Sequence, residues 1–140
     1  MWVIFEGLDK SGKGTLEWEF LKATNFKHIV IDRGPAGYLT FDCMFDRLTE
    51  EGNMQYAKNV VTMVMGGDFM VVYCKAPLDV ALQRLKEHGE FCPYNYAMAQ
   101  EIYDSVIERF YERNKIKVVT IDTSKPVDEC VKKIIEKLKE

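Results

Sequence analysis

Gly7-Leu8-Asp9-Lys10-Ser11-Gly12-Lys13-Gly14-Thr15 carries the spacing G-x-x-x-x-G-K, and the segments on either side take their meaning from it. Glycines at 7 and 12 permit backbone shapes that a side chain would obstruct. A loop built this way can wrap a phosphate with successive N–H groups. A helix starting near Lys13 would point its positive end at the same anion. Lys13 would add a full charge where β- and γ-phosphates lie. The motif is meaningful between a strand and a helix. Residues 2–6, Trp-Val-Ile-Phe-Glu, are a short apolar run that suits a buried strand, and residues 13–24 place Leu16, Phe20 and Leu21 near one helical face.

Outward from the loop, the same alternation repeats. Residues 28–32, His-Ile-Val-Ile-Asp, read as a second strand ended by Arg-Gly-Pro. Residues 36–66 carry helical spacing, with Gly52-Asn53 expected to divide two helices and Gly66-Gly67 to end the second. Residues 69–74 are a third strand, and a helix from Pro77-Leu78-Asp79 to about Glu87 comes next. Residues 96–113 read as one long helix with Ile102, Tyr103, Val106, Ile107, Phe110 and Tyr111 on its inner face. Residues 116–121 are a fourth strand, and residues 127–139 a last helix. Strands apolar on both faces and separated by helices predict an α/β fold: a parallel sheet of about four strands covered on both faces, the three-layer sandwich of phosphate-binding-loop proteins. Ligands of such sheets bind beyond the carboxyl ends of the strands, where the motifs of this chain fall.

The 140 residues fit one domain spanning 1–140, with apolar material for one sizeable core. The net charge of −3 offers no general attraction for nucleic acid or anionic membrane. Cys43, Cys74, Cys92 and Cys130 form no C-x-x-C pair and have no histidine at metal-ligand spacing, so reduced thiols are expected. No signal peptide is evident at the start, and no apolar stretch approaches the ~20 residues that span a bilayer. A soluble cytoplasmic protein is expected.

Gly12-Lys13-Gly14-Thr15 departs from the usual pattern, because glycine stands where a magnesium-binding Ser or Thr normally succeeds the lysine. It resembles the adenylate kinase version of the loop, which implies magnesium held largely through water. More broadly, Phe5-Glu6-Gly7-Leu8-Asp9-Lys10-Ser11-Gly12-Lys13 resembles thymidylate kinases. Asp32-Arg33 is similar to that family's Asp-Arg motif. Arg84 to Phe91 is similar to its helix and lid start, which places a lid-like segment near 84–96. Ile121-Asp122-Thr123-Ser124-Lys125 is similar to its adenine-packing loop.

The resemblance implies ATP as phosphoryl donor and Mg2+ as cofactor. It implies that Gly7, Leu8, Asp9, Lys10, Ser11, Gly12, Lys13, Gly14 and Thr15 hold the ATP phosphates, with Arg84, Ser124 and Lys125 around the rest of the donor. Lys10 matches a basic loop residue reaching the γ-phosphate. Asp9 and Arg33 match acceptor-binding residues, one toward a sugar hydroxyl and the other toward a phosphate. Lys13, Lys10, Asp32 and Arg33 are the candidate catalytic residues, and Asp32, through water, and Thr15 are the candidate magnesium ligands. From the residues alone Asp9 can equally cap or stabilise the loop, Lys10 and Arg84 can be solvated charges, Asp32-Arg33 a strand-end ion pair, and Ser124-Lys125 an ordinary turn.

The chain departs from thymidylate kinases in length. The first helix leads almost directly into the strand ending in Asp32-Arg33, without the strand, helix and acceptor-phosphate elements that the family places between them. Cys92-Pro93-Tyr94-Asn95-Tyr96 stands where charged residues and an arginine are expected. A pared-down acceptor side leaves three readings open. The first is a kinase for a deoxynucleotide or nucleoside. The second is a kinase for the hydroxymethyl group of 5-hydroxymethyluracil in DNA, as in small viral relatives, with Asp32 or Asp9 as general base. The third is a nucleotide-binding module or hydrolytic switch without transfer, although the D-x-x-G element a switch uses is missing. A homodimer is compatible with each.

Overall fold

The computed structural model describes residues 1–89, 92 and 94–140. Its strands are β1 (Trp2–Glu6), β2 (Ile29–Asp32), β3 (Phe69–Lys75) and β4 (Lys117–Asp122). They form one sheet in the order β2-β1-β3-β4, and each neighbouring pair is parallel. Helices α1 (Lys13–Ala23), α2 (Pro35–Met44), α3 (Glu50–Gly66), α4 (Leu78–Glu87), α5 (Tyr96–Val106) and α6 (Val127–Leu138) link and cover the strands. A π-helical stretch, Ile107–Glu112, continues α5. The fold is therefore the predicted α/β sandwich.

Side-chain alternation along the strands builds two cores, one on each face. Val3 and Phe5 of β1, with Met70, Val72 and Cys74 of β3, pack against Leu16 and Phe20 of α1 and against Val131 and Ile134 of α6. Ile4, Val71 and Tyr73 face the other way, onto Leu39 and Phe41 of α2, Val60 and Met63 of α3, and Tyr103 of α5. β1 and β3 are buried almost throughout because both faces are covered. β2 lies at the sheet edge and is only partly buried.

Two boundaries differ from the sequence reading. The break between α2 and α3 falls at residues 45–49, not at Gly52-Asn53. Thr49 caps α3, its hydroxyl accepting the Gly52 N–H at 3.0 Å, so Gly52 lies inside the first turn with Glu50 and Glu51 favourably placed near the helix N-terminus. The helix expected over 96–113 changes its winding after Val106: Arg113 N–H reaches back five residues to Glu108 C=O at 2.9 Å, the bonding of a π-helix. The four cysteines are free. Among the described residues no helix is long and apolar enough to cross a membrane.

Candidate functional site

The loop between β1 and α1 leaves the carboxyl end of a central strand and ends at Gly12, the residue that caps α1. Gly12 has φ 84°, and a Cβ there would stand 2.9 Å from the Thr123 Cβ. Glycine at this position thus serves both the left-handed turn and the close approach of the loop after β4. Lys10, at φ 60°, also adopts the left-handed region, a conformation that disfavours a residue with a Cβ by about 1–2 kcal/mol. Ser11 N–H donates to Leu8 C=O at 3.1 Å and tightens the loop.

Arg84 on α4 fastens this loop to the opposite wall. Its guanidinium donates to Lys10 C=O at 2.9 Å and to Thr123 C=O at 2.9 Å. Thr123 is itself fixed by its N–H to Lys75 C=O at 2.8 Å. Leu8 to Thr15, together with Arg84, Thr123 and Lys125, line a cavity of about 500 Å³. A helix N-terminus and the cations of Lys10, Lys13, Arg84 and Lys125 surround one space, which is the charge arrangement an oligophosphate requires.

At the edge of the cavity Lys13 Nζ pairs with Asp32 Oδ1 at 2.7 Å. The Lys13 side chain is 13% exposed and that of Asp32 64%, so the pair runs from the interior to the surface. Glu17, one turn along α1, faces the same carboxylate. Burial first, and then the neighbouring Asp32, push the Glu17 carboxyl up to about 8. Burial opposes ionisation of Asp32, but hydrogen bonds from Glu17 and Lys13 and the charges of Lys13 and Arg33 hold its carboxyl below the usual range. Near neutral pH the two carboxyls therefore share one proton, carried by Glu17 and directed at Asp32.

Beyond Asp32 the chain turns through Arg33, left-handed at φ 67° and held by its N–H to Phe5 C=O at 2.8 Å. The Arg33 guanidinium lies 4.3 Å from the centre of the Phe41 ring and its Nη2 is 3.8 Å from Asp9 Oδ1. Tyr94 O–H donates to Asp9 Oδ2 at 3.4 Å, and Tyr96 O–H to Asp9 C=O at 2.8 Å. Phe41, Phe45 and Tyr94 meet edge to face and stacked, with centroids 5.8–6.4 Å apart. One end of the loop thus borders an aromatic wall carrying a cation.

The structure brings together most of the residues singled out from sequence. Asp9, Lys10, Lys13, Thr15, Arg84 and Lys125 share the cavity, and Asp32 and Arg33 stand at its edge through their pairs with Lys13 and Asp9. Arg84 is bound into the loop rather than facing solvent. Gly7 sits just behind the cavity, with its N–H donated to the Tyr103 hydroxyl oxygen at 2.9 Å. Ser124 is exposed and bonds back to Asp122 at 2.6 Å, a turn interaction outside the cavity lining. Of the lid-like segment over 84–96, Glu90, Phe91 and Pro93 lie outside the described residues. Sequence reasoning missed Glu17, whose place four residues after Lys13 puts it on the same helix face. It also missed Thr123, and Glu6, whose full burial nothing in an apolar strand announces.

No family model matches the sequence, and no curated protein matches it. Solved structures do. The YorR protein of Bacillus subtilis, in complex with phosphorylated GDP, is 19% identical with a TM-score of 0.72, the match covering 99% of this chain and 96% of that one. Deoxyadenosine kinase from M. mycoides with bound dCTP is 14% identical with a TM-score of 0.66, covering 99% of both chains. The same enzyme with bound dATP is 14% identical with a TM-score of 0.64, covering both chains in full. At these identities the likeness is one of architecture: the chain has the phosphate-binding-loop α/β fold that deoxyadenosine kinase also has.

Proposed function

We propose that this protein is an ATP-dependent phosphotransferase, similar to thymidylate kinases, acting on a deoxynucleotide or nucleoside. The observation that carries the reading is the Lys13–Asp32 pair, 2.7 Å long, at the edge of a cavity lined by Leu8 to Thr15 of the phosphate loop. It puts the loop cation beside a carboxylate that ends the neighbouring strand. Donor and acceptor groups meet at such strand ends. The structural neighbours with bound GDP derivative, dCTP and dATP support a nucleotide in this architecture.

In this reading the loop amides, Lys10 and Lys13 hold the ATP phosphates, and Arg84 and Lys125 border the remainder of the nucleotide. Lys13 moves from Asp32 toward the phosphates as the donor enters and offsets the negative charge that spreads over the transferring group. Arg33 and Asp9 orient the acceptor. Asp32, once released, takes the proton of an acceptor hydroxyl. Among the described residues no group of three acidic, histidine or cysteine side chains forms a metal cage. That fits magnesium, which keeps its waters and uses one or two carboxylates with substrate phosphates. Thr15, and Asp32 through water where it does not serve as the base, are the residues proposed to hold it, and it would neutralise phosphate charge when bound.

The partly buried edge strand β2, the exposed Tyr38 on α2, and the exposed Phe45 stacked on the Phe41 ring that Arg33 covers favour a second acceptor, a base within DNA such as 5-hydroxymethyluracil, which brings its own bulk to an open side. Labelled-phosphate transfer from ATP to thymidine, thymidine monophosphate, and DNA with or without hydroxymethyluracil decides between them. ATP turnover that none of these acceptors stimulates, with no label transferred, would remove the phosphotransferase reading.

A further inference from the structure

Glu6, the last residue of β1, is completely buried, and four neutral donors converge on its carboxyl group. Tyr103 O–H lies 2.8 Å from Oε1 and Tyr111 O–H 2.6 Å from Oε2. Gly34 N–H reaches Oε1 at 3.0 Å, and Gly37 N–H is shared between both oxygens at 3.2 Å. Each tyrosine oxygen also accepts a backbone N–H, Tyr103 from Gly7 at 2.9 Å and Tyr111 from Ala36 at 3.1 Å.

These directions determine the proton count. Each hydroxyl has one hydrogen. Since both accept an amide, the arrangement that leaves no hydrogen stranded sends both hydroxyl hydrogens to Glu6, which then accepts on both oxygens as a carboxylate. Burial, the largest influence, raises the carboxyl above its ordinary value, and the hydrogen bonds from Tyr111, Gly34, Tyr103 and Gly37 pull it back down; the carboxylate reading rests on the donor count. The amides of Gly34 and Gly37 open α2, so this helix N-terminus already has its anion, supplied by the protein. The fit is close: a Cβ on Gly37 would come within 2.4 Å of Arg33 Cγ, 2.5 Å of the Tyr103 oxygen and 2.7 Å of Glu6 Oε1.

We propose that Glu6 is a positioning residue that holds the two halves of the site in one frame: it fixes the Arg33 turn through the Gly34 and Gly37 amides, and the start of the phosphate loop through Tyr103 and the Gly7 amide. The role of Arg33 toward an acceptor rests on the proposed phosphotransferase function; the mechanical link does not. The geometry divides the work. Tyr103 serves the loop, Tyr111 serves the start of α2, and Glu6 serves both.

The test uses measurements that need no transfer: ATP affinity by calorimetry, and hydrogen exchange of the Gly34, Ala36 and Gly37 amides by NMR. Tyr103→Phe is expected to weaken ATP binding about tenfold and leave the Gly34 and Gly37 amides protected. Tyr111→Phe is expected to keep ATP affinity within twofold and speed exchange at Ala36 at least tenfold. Glu6→Gln, which retains shape but places an amide hydrogen among donors, is expected to do both, and Glu6→Asp to restore neither fully. A Glu6→Gln protein that unfolds is replaced by the two tyrosine variants, whose opposite signatures decide the same question. Equal changes in both readouts for Tyr103→Phe and Tyr111→Phe, or a lowered Tm with neither readout moved, would overturn the proposal. A wild-type chain that binds ATP but passes its phosphate to no acceptor would remove the kinase reading and leave these readouts decisive.

Discussion

Lys13 Nζ and Asp32 Oδ1, 2.7 Å apart, join the phosphate loop to the strand beside it. A largely buried ammonium with one carboxylate partner is held in place until a stronger anion displaces it. Lys13→Ala is expected to lower transfer by about 10³-fold, the scale on which a charge-stabilising donor acts. Single-turnover kinetics with labelled ATP checks this, and unchanged turnover would take Lys13 out of the mechanism.

Arg33 stands over Phe41 and beside Asp9, away from the wall formed by Arg84 and Thr123. Arg33→Ala should raise the acceptor KM about tenfold, equivalent to ~1.4 kcal/mol, and leave the ATP KM within twofold. Steady-state kinetics with each substrate varied separates the two. A rise confined to ATP would place Arg33 on the donor side.

Glu17 carries a proton that the unfolded chain would release near the ordinary carboxyl value of 4.5, whereas the folded chain releases it at about 8. A raised carboxyl pKa means the unfolded state binds fewer protons across that interval, so this group makes stability fall as pH rises from about 4.5 to about 8. Asp32, held below its usual range, opposes the effect only at more acidic pH. Glu17→Gln is expected to flatten the fall. Denaturant titrations at about pH 5, 6.5 and 8 read the slope directly; parallel curves for wild type and variant would show that Glu17 does not hold the proton.

Gly12→Ala places a Cβ at φ 84° and 2.9 Å from Thr123. A non-glycine residue held in that region costs about 1–3 kcal/mol, and the contact with Thr123 adds to it. Urea unfolding should show that loss, and ATP binding should weaken with it because the loop and the β4 turn would separate. Wild-type stability in this variant would mean the loop relaxes freely.

The sheet and most helices are legible in the sequence because strands buried on both faces must be apolar throughout, as Val3–Phe5 and Met70–Cys74 are. The loop is legible because its spacing is dictated by phosphate geometry. The boundary at Thr49 is not, since a hydroxyl cap outweighs the glycine at 52. Arg84 looks like any charged helix residue until α4 is placed against Lys10 and Thr123. Glu17 and Glu6 depend on partners 15 and about 100 residues away, and local pattern carries no trace of such meetings.

The π-helical stretch Ile107–Glu112 sets the phase of the chain beyond Val106. Tyr103 and Tyr111 stand on either side of its start, and both reach the carboxylate of Glu6. Ordinary α-winding over the eight residues from Tyr103 to Tyr111 would leave the second tyrosine about 80° around the axis from the first, whereas the wider turn brings both onto the face toward Glu6. Helix length here behaves as a reading frame in space. The width of the turn, more than the side chains of Glu108 and Arg109, keeps the two tyrosines on one face.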